Sequence, residues 1–365
     1  MASKLRRETR RVLNDLSESL TRGIDRWRTA RHDRAAERLI KVSPGRLSAS
    51  GGLALYLIYE PAGLLDSTIQ TARHLADRGY PALVVSNAPL RPEEIERLAS
   101  VSIAVLIRPN VGYDFGGYRD GLRYLDRVRL NPERLIILND SIWFPLHQDE
   151  TLIPRLEANP AAFQGVFYDL KGKRAHRAHY ESYFYFIRRA ARQSEAFQNF
   201  WRRFPMSSAR WKVLKRGEKG FSQAMYAAGF RPDALATRQS FTDRIASCDA
   251  EFLRKTLLYA SYDNLSAKEE GDRLLAEADG TDGWRQRAIV HVRRVAGSGT
   301  YHDTFRYAVE RLFDLSLMKK RRVPQTLEMR RQYLRAVEAG DLRAPDTMML
   351  GEIRASVDRG STGRL

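Results

Sequence analysis

The sequence predicts an α/β fold with a mostly parallel sheet flanked by helices, on three observations. Strand-length runs that are apolar throughout follow one another: LALYLIY (53–59), PALVVSN (81–87), SIAVLIRPN (102–110) and RLIILND (134–140). Between them lie segments of helical periodicity, DSTIQTARHLADRG (66–79), RPEEIERLAS (91–100) and FGGYRDGLRYLDRV (115–128). Helix punctuation agrees: Asp66 suits an N-cap, Gly79 a stop, and Pro92 a first turn. A strand buried on both faces reads as a continuous apolar run, and the intervening helices are the crossovers of a parallel sheet.

Before this region, Leu5, Val12, Leu13, Leu16, Leu20, Ile24 and Trp27 recur every three or four positions with arginines in the gaps. Residues 1–45 therefore read as a basic amphipathic helical extension, one helix or a pair, which either packs on its own domain or lies on an anionic membrane surface. Ser43-Pro44-Gly45 and Ser48 to Gly52 read as a loop. After residue 150 the pattern is mixed, with strands near FQGVFYD (163–169) and YESYFYFIRR (180–189) and helices over 191–229. From about 251 to 365 it is mainly helical.

The composition, 43% apolar and 10% aromatic, is that of a folded globular chain. The one cysteine, Cys248, cannot close an internal disulfide, and no CxxC pattern indicates structural zinc. Arginines interrupt the N-terminus where a secretory signal would need an apolar run, and the apolar stretches are too short to span a bilayer. The expected location is cytoplasmic, either soluble or peripheral on the inner membrane face. A formal charge of +18 favours anionic partners without choosing among phosphate-bearing substrates, acidic lipid and nucleic acid. No recognition helix, zinc finger or aromatic RNA-binding motif supports nucleic acid, so none is expected as a partner.

Ligands of a parallel sheet bind at the carboxyl ends of its strands. Here those ends carry Ser86-Asn87, Arg108 to Asp114, and Asn139-Asp140-Ser141. The segment RPNVGYDFGGYRDGL (108–122) runs from a strand through Asn110, Gly112 and Asp114 to Gly116-Gly117 and a helix. Glycine permits close backbone approach, and a helix start offers amide donors to an anion, though an ordinary strand-to-helix turn has the same look. It is neither a dinucleotide-binding nor a P-loop fingerprint. In LIILNDSIWFP (135–145) a strand delivers Asn139 and Asp140 to the edge. Such an aspartate either holds a divalent metal on a diphosphate or caps a turn. The run KGKRAHRAHYESYF (171–184) brings Lys171, Lys173, Arg174, His176, Arg177 and His179, either a solvated loop or a cationic cradle for a departing diphosphate.

An Asn-x-Gly turn entering a helix, followed by a strand with an acidic end, is similar to the nucleotide-sugar half of GT-A glycosyltransferases. More narrowly, NVGYDFGGYRDGL, LIILNDSIWFP, HYESYF (179–184) and the spacing E-x-x-x-S-x-x-x-x-x-x-G-F from Glu218 to Phe230 resemble the rhamnan synthesis F family. The resemblance implies a GT-A-like glycosyltransferase domain over 50–250. It would transfer a sugar, rhamnose or another deoxyhexose, from a nucleotide-sugar donor to a glycan or lipid-linked acceptor in polysaccharide synthesis. Asn87, Asn110, Gly112, Asp114, Gly116, Gly117 and Asn139 would then line the donor pocket, and Asp140 would stand at the family's metal-binding acidic motif. Only one carboxylate is present there, so Mn2+ or Mg2+ is an open expectation. His179 and Ser182 would contact acceptor or phosphate, with a structural role for His179 left open. Glu218 would be the general base of an inverting transfer; read from position alone, it is a helix-start carboxylate that favours the dipole. The rival readings are a sugar-nucleotide-modifying enzyme, against which the missing dinucleotide fingerprint counts, and a module that binds nucleotide sugar or glycan without turnover.

Overall fold

In a computed structural model of the chain the backbone is described for residues 2–169, 179–321 and 323–362, and side chains for 21–168, 179–321 and 323–359. In chain order the elements are α1 (Ala2–Leu39), β1 (Lys41–Pro44), β2 (Gly52–Ile58), α2 (Asp66–Asp77), β3 (Ala82–Ser86), α3 (Pro92–Ala99), β4 (Ser102–Ile107), α4 (Tyr113–Arg127) and β5 (Arg134–Asn139). There follow β6 (Ile142–Trp143), α5 (Leu152–Ala158), β7 (Phe163–Asp169), β8 (His179–Tyr180), β9 (Phe184–Arg188), α6 (Arg189–Arg192), α7 (Glu195–Arg203) and α8 (Arg210–Val213). A π-helical turn (Leu214–Lys219) leads into α9 (Gly220–Ala227) and β10 (Asp233–Thr237), after which the chain is mainly helical. It is a mixed α/β protein whose sheet is mostly parallel and flanked by helices.

The chain divides into two compact units, Met1–Leu64 with Gly79–Asn139 and Ile187–Phe230, and Leu65–Arg78 with Asp140–Phe186 and Arg231–Leu365. In the first, the strand order is β1-β4-β3-β2-β5, with β2, β3, β4 and β5 parallel. Every residue of β2 and β3 is buried, as their uninterrupted apolar runs require. Ser43 and Pro44, expected in a loop, are instead the end of β1, antiparallel to β4. Pro44 is compatible with a strand there because β1 is an edge, where a missing amide leaves no ladder bond unmade.

In the second unit β7 pairs in parallel with β10 and antiparallel with β8. YESYFYFIRR is not one strand: β8 ends at Tyr180, a turn follows, and β9 starts at Phe184. The turn aims Glu181 at a charged cluster described below, which a continuous strand would not. Strand β10 (DALAT) carries little apolar signal, and its pairing with β7 decides its conformation. In the same unit Trp143 donates its indole N–H to Glu352 (2.8 Å), and the Ser67 amide donates to the other oxygen of that carboxylate (3.0 Å). One C-terminal glutamate thereby ties α2 and β6 to the last helix.

Candidate functional site

The parallel strands of the first unit place the ends of β3, β4 and β5 on one edge. Beyond β4 the backbone turns through left-handed conformations at Gly112 (φ +80°) and Tyr113 (φ +50°) and enters α4. Arg108 holds this turn. Its buried guanidinium donates to Asp120 (2.6 Å), to the side-chain oxygen of Asn87 at the end of β3 (2.5 Å), and to the Val111 carbonyl (2.6 Å). The Asn87 amide in turn donates to the Tyr113 carbonyl (3.2 Å). A buried guanidinium is tolerated only when its donors are satisfied, and here they are spent on fixing the turn.

The glycines have packing reasons of their own. A Cβ on Gly116 would lie 2.0 Å from the Val111 carbonyl oxygen, and one on Gly117 2.1 Å from a Leu57 methyl. Both glycines let α4 lie close on its turn and on β2, so valine at either would disturb the helix whatever the site binds. Gly112 is required by its positive φ.

Asp114, in the first turn of α4, is half-buried and accepts a hydrogen bond from the Asn139 amide at the end of β5 (3.1 Å). Burial pushes its carboxyl above the usual range; Arg210 and the Asn139 bond oppose this, and the Glu218 carboxylate reinforces it. Glu218 reaches Asp114's surroundings because the wide π-helical turn packs Gly217 flat against Phe115: a Cβ on Gly217 would be 2.5 Å from that ring. π turns recur at functional sites because the extra residue re-aims a side chain. Glu218 is thus not at the start of a regular helix, as its sequence position suggests, but in the turn before α9, half-exposed. Asn110 is exposed on the same turn. Asn87, Asn110, Asp114, Asn139 and Glu218 therefore gather on one edge of this unit. Arg210, which joins them, was missed because nothing in its local sequence marks it.

In the second unit Asp140 is half-buried, and the next carbonyl, Ser141, accepts from the Lys320 amide (2.7 Å). Among the described residues no group of three or more His, Cys, Asp or Glu is placed to hold a metal ion. His179, opposite Asp169 on β7, and Ser182 are both buried. Lys171, Lys173, Arg174, His176 and Arg177 lie outside the described residues. Between His179 and Ser182 stands Glu181, which sequence reasoning passed over. It accepts from Lys319 (2.7 Å) and faces His302 (3.7 Å), whose other ring nitrogen meets Asp303 (3.2 Å) and whose ring stacks on Phe167 (4.5 Å). Its partners are more than a hundred residues away, so no local pattern announces them.

This cluster titrates. Burial alone would push the His302 imidazole down, but Asp303 and Glu181 outweigh it and raise its pKa above 6.5. Burial alone would raise Glu181, but Lys319 and His302 hold it well below the ordinary carboxylate range; Asp303 is likewise lowered by His302 against its burial. The raised histidine stabilises below about pH 6.5, and that contribution fades as pH climbs through its folded value; the depressed acids stabilise above about pH 4 and lose this on acidification. His302→Gln is therefore expected to cost most stability between about pH 4.5 and 6.5 and progressively less as the pH rises through the histidine's raised value, read by denaturation at stepped pH. A cost independent of pH would show that the histidine titrates alike in the folded and unfolded chain.

The profile of rhamnan synthesis protein F matches residues 82–260, which include the turn, Asp114, Asn139, Asp140 and Glu218. The uncharacterized protein y4gN of Sinorhizobium fredii is 30% identical over 257 residues, 70% of this chain and 67% of that one. The mannosyltransferase PcManGT from Pyrobaculum calidifontis, solved in complex with GDP-Man and Mn2+, aligns over 95% of this chain and 97% of its own at 9% identity. Its TM-score of 0.33 is too low to bear on the fold. On the matched segment and its motifs, the chain belongs to the rhamnan synthesis protein F family.

Proposed function

We propose that the chain is an inverting glycosyltransferase of polysaccharide synthesis, using a nucleoside diphosphate sugar as donor and a glycan or lipid-linked hydroxyl as acceptor. Rhamnose or another deoxyhexose is the proposed sugar, on the strength of the family alone. One observation carries the reading: two electrostatically coupled carboxylates, Asp114 and Glu218, at the carboxyl edge of a parallel sheet beside the start of a helix, within the segment that defines the family. Neighbouring carboxylates whose environments differ can divide binding and proton transfer between them.

In this reading Glu218 takes the proton of the acceptor hydroxyl, the hydroxyl oxygen bonds to the anomeric carbon, and the bond from that carbon to the diphosphate breaks with inversion. Asp114, Asn110, Asn87 and Asn139 orient the donor, with the amides at the start of α4 offered to its phosphates. Asp140, next in the chain after Asn139, fits a magnesium or manganese site of the kind that uses one carboxylate and completes itself with phosphate oxygens. Such an ion would neutralise the departing diphosphate. In the second unit His179 and Ser182 are proposed contacts for acceptor or phosphate. The inner face of the membrane is the compartment this reading implies.

The test is a melting-temperature screen against dTDP-, UDP- and GDP-sugars with and without manganese, joined to a transfer assay with the donor that binds. A ligand of the native state raises the melting temperature by mass action. A donor-dependent rise with turnover is expected, and Asp140→Asn should remove the manganese-dependent part of both. Binding without turnover on any acceptor would make the protein a binding module, and no rise with any donor would refute the reading.

A further inference from the structure

The helix α1 is docked the wrong way round for an ordinary amphipathic helix. The side chains it buries are polar: Asp25, Thr29 and His32. Asp25 accepts from Arg216 (2.8 Å) and Lys212 (3.5 Å), and Thr29 accepts from the Met206 amide (2.8 Å). His32 bonds Asp120 (2.8 Å), and Asp33 takes both guanidinium nitrogens of Arg119 (2.6 and 2.8 Å). The large apolar side chains of the same stretch point away, with Ile24 50% and Trp27 55% exposed. At 3.6 residues per turn Ile24, Trp27, Arg31, Arg34 and Arg38 fall within an arc of about 80°, opposite the buried face. All five are exposed, and Arg31 lies over the Trp27 ring (5.6 Å). Ile24 and Trp27 also end the apolar repeat that the sequence carries from Leu5.

We propose that this outward face of α1 lies on an anionic lipid bilayer. The apolar pair enters the boundary between headgroups and acyl chains, and Arg31, Arg34 and Arg38 meet lipid phosphates. Of the neighbouring acids, Asp25 and Asp33 are neutralised by Arg216, Lys212, Arg119 and Arg123, and the exposed Glu37 falls outside the arc. A second copy of the chain fits poorly, since a two-fold contact through this face would set the same arginines against each other in a molecule of formal charge +18. Nucleic acid would use the arginines and leave Ile24 and Trp27 in water. No helix among the described residues is long and apolar enough to cross a membrane, so the attachment is interfacial. Only the choice of leaflet rests on the proposed function; the binding itself does not.

The full chain should float with vesicles containing phosphatidylglycerol, not with phosphatidylcholine alone, and should be released as salt rises. Deleting α1 is a poor probe, because its buried polar contacts belong to the first unit. Ile24→Ser with Trp27→Ser, and separately Arg31→Gln with Arg34→Gln and Arg38→Gln, alter only exposed side chains and should leave the melting temperature unchanged. Three arginines near the surface are together worth on the order of a hundredfold in partitioning, so the triple variant should lose about that factor. The proposal fails if the intact chain stays in solution, if both variants float like it, or if binding ignores salt. It fails equally if light scattering shows a dimer that the serine variant abolishes. Sugar transfer in solution should survive both variants, so a defect in the proposed chemistry and one in attachment remain distinguishable.

Discussion

Arg108→Met is expected to destabilise the first unit by about 3–5 kcal/mol, the cost of breaking a buried ion pair by removing one partner. Arg108 and Asp120 are almost wholly buried at 2.6 Å. Methionine matches much of the aliphatic stem but donates nothing. The Asn87 oxygen and the Val111 carbonyl would each lose a charged donor, and Asp120 would keep its bond to His32. Each acceptor left unsatisfied in the interior carries its own penalty. Because the same guanidinium ties the end of β3 to the turn before α4, the loss should also loosen Gly112 and Tyr113. Chemical denaturation of the variant reads the first effect, and amide exchange over 108–118 the second. A change below about 1 kcal/mol would mean that water takes the place of the guanidinium and that the cluster is not a structural lock.

Glu218→Gln should lower the rate of transfer by roughly 10²- to 10⁴-fold, the usual worth of a general base, while donor binding survives. Glutamine keeps the size of the side chain and its hydrogen-bonding reach but cannot take a proton. The residue is half-exposed in a π-helical turn, so little stability should be lost. Asp114→Asn distinguishes the two carboxylates. If Asp114 orients the donor, its loss should weaken donor binding and leave the rate at saturating donor less affected; if it is the base, the pattern reverses. A single-turnover rate for Glu218→Gln equal to that of the parent chain would remove it from the proton transfer and leave Asp114 or His179 to be tested.

The parts of the fold legible in the sequence are those whose signal is local and strong. Strands β2 to β5 read directly because each is buried on both faces, and α2 and α4 because of their helical periodicity, with Gly79 as the stop of α2. Strand β1 was hidden by Ser43-Pro44, a pair that reads as loop until an edge position excuses the proline. Strand β10 was hidden because it is held by its neighbour β7 and not by its own side chains.

The candidate site divides in the same way. Asn110, Gly112, Asp114, Asn139, Asp140 and Glu218 stand in short motifs that survive as patterns of residue type. The parallel sheet, the helix after β4 and the gathering of polar residues at strand ends can be read from the sequence, because these follow from the period of burial and the direction of parallel strands. The folded chain alone reveals that Gly116 and Gly117 serve helix packing, that Arg108 locks the turn, and that a π turn seated on Phe115 brings Glu218 within electrostatic reach of Asp114. It alone also reveals that α1 turns its polar face inward. These depend on contacts between residues tens to hundreds of positions apart, where the energy lies in a partner that no local window contains.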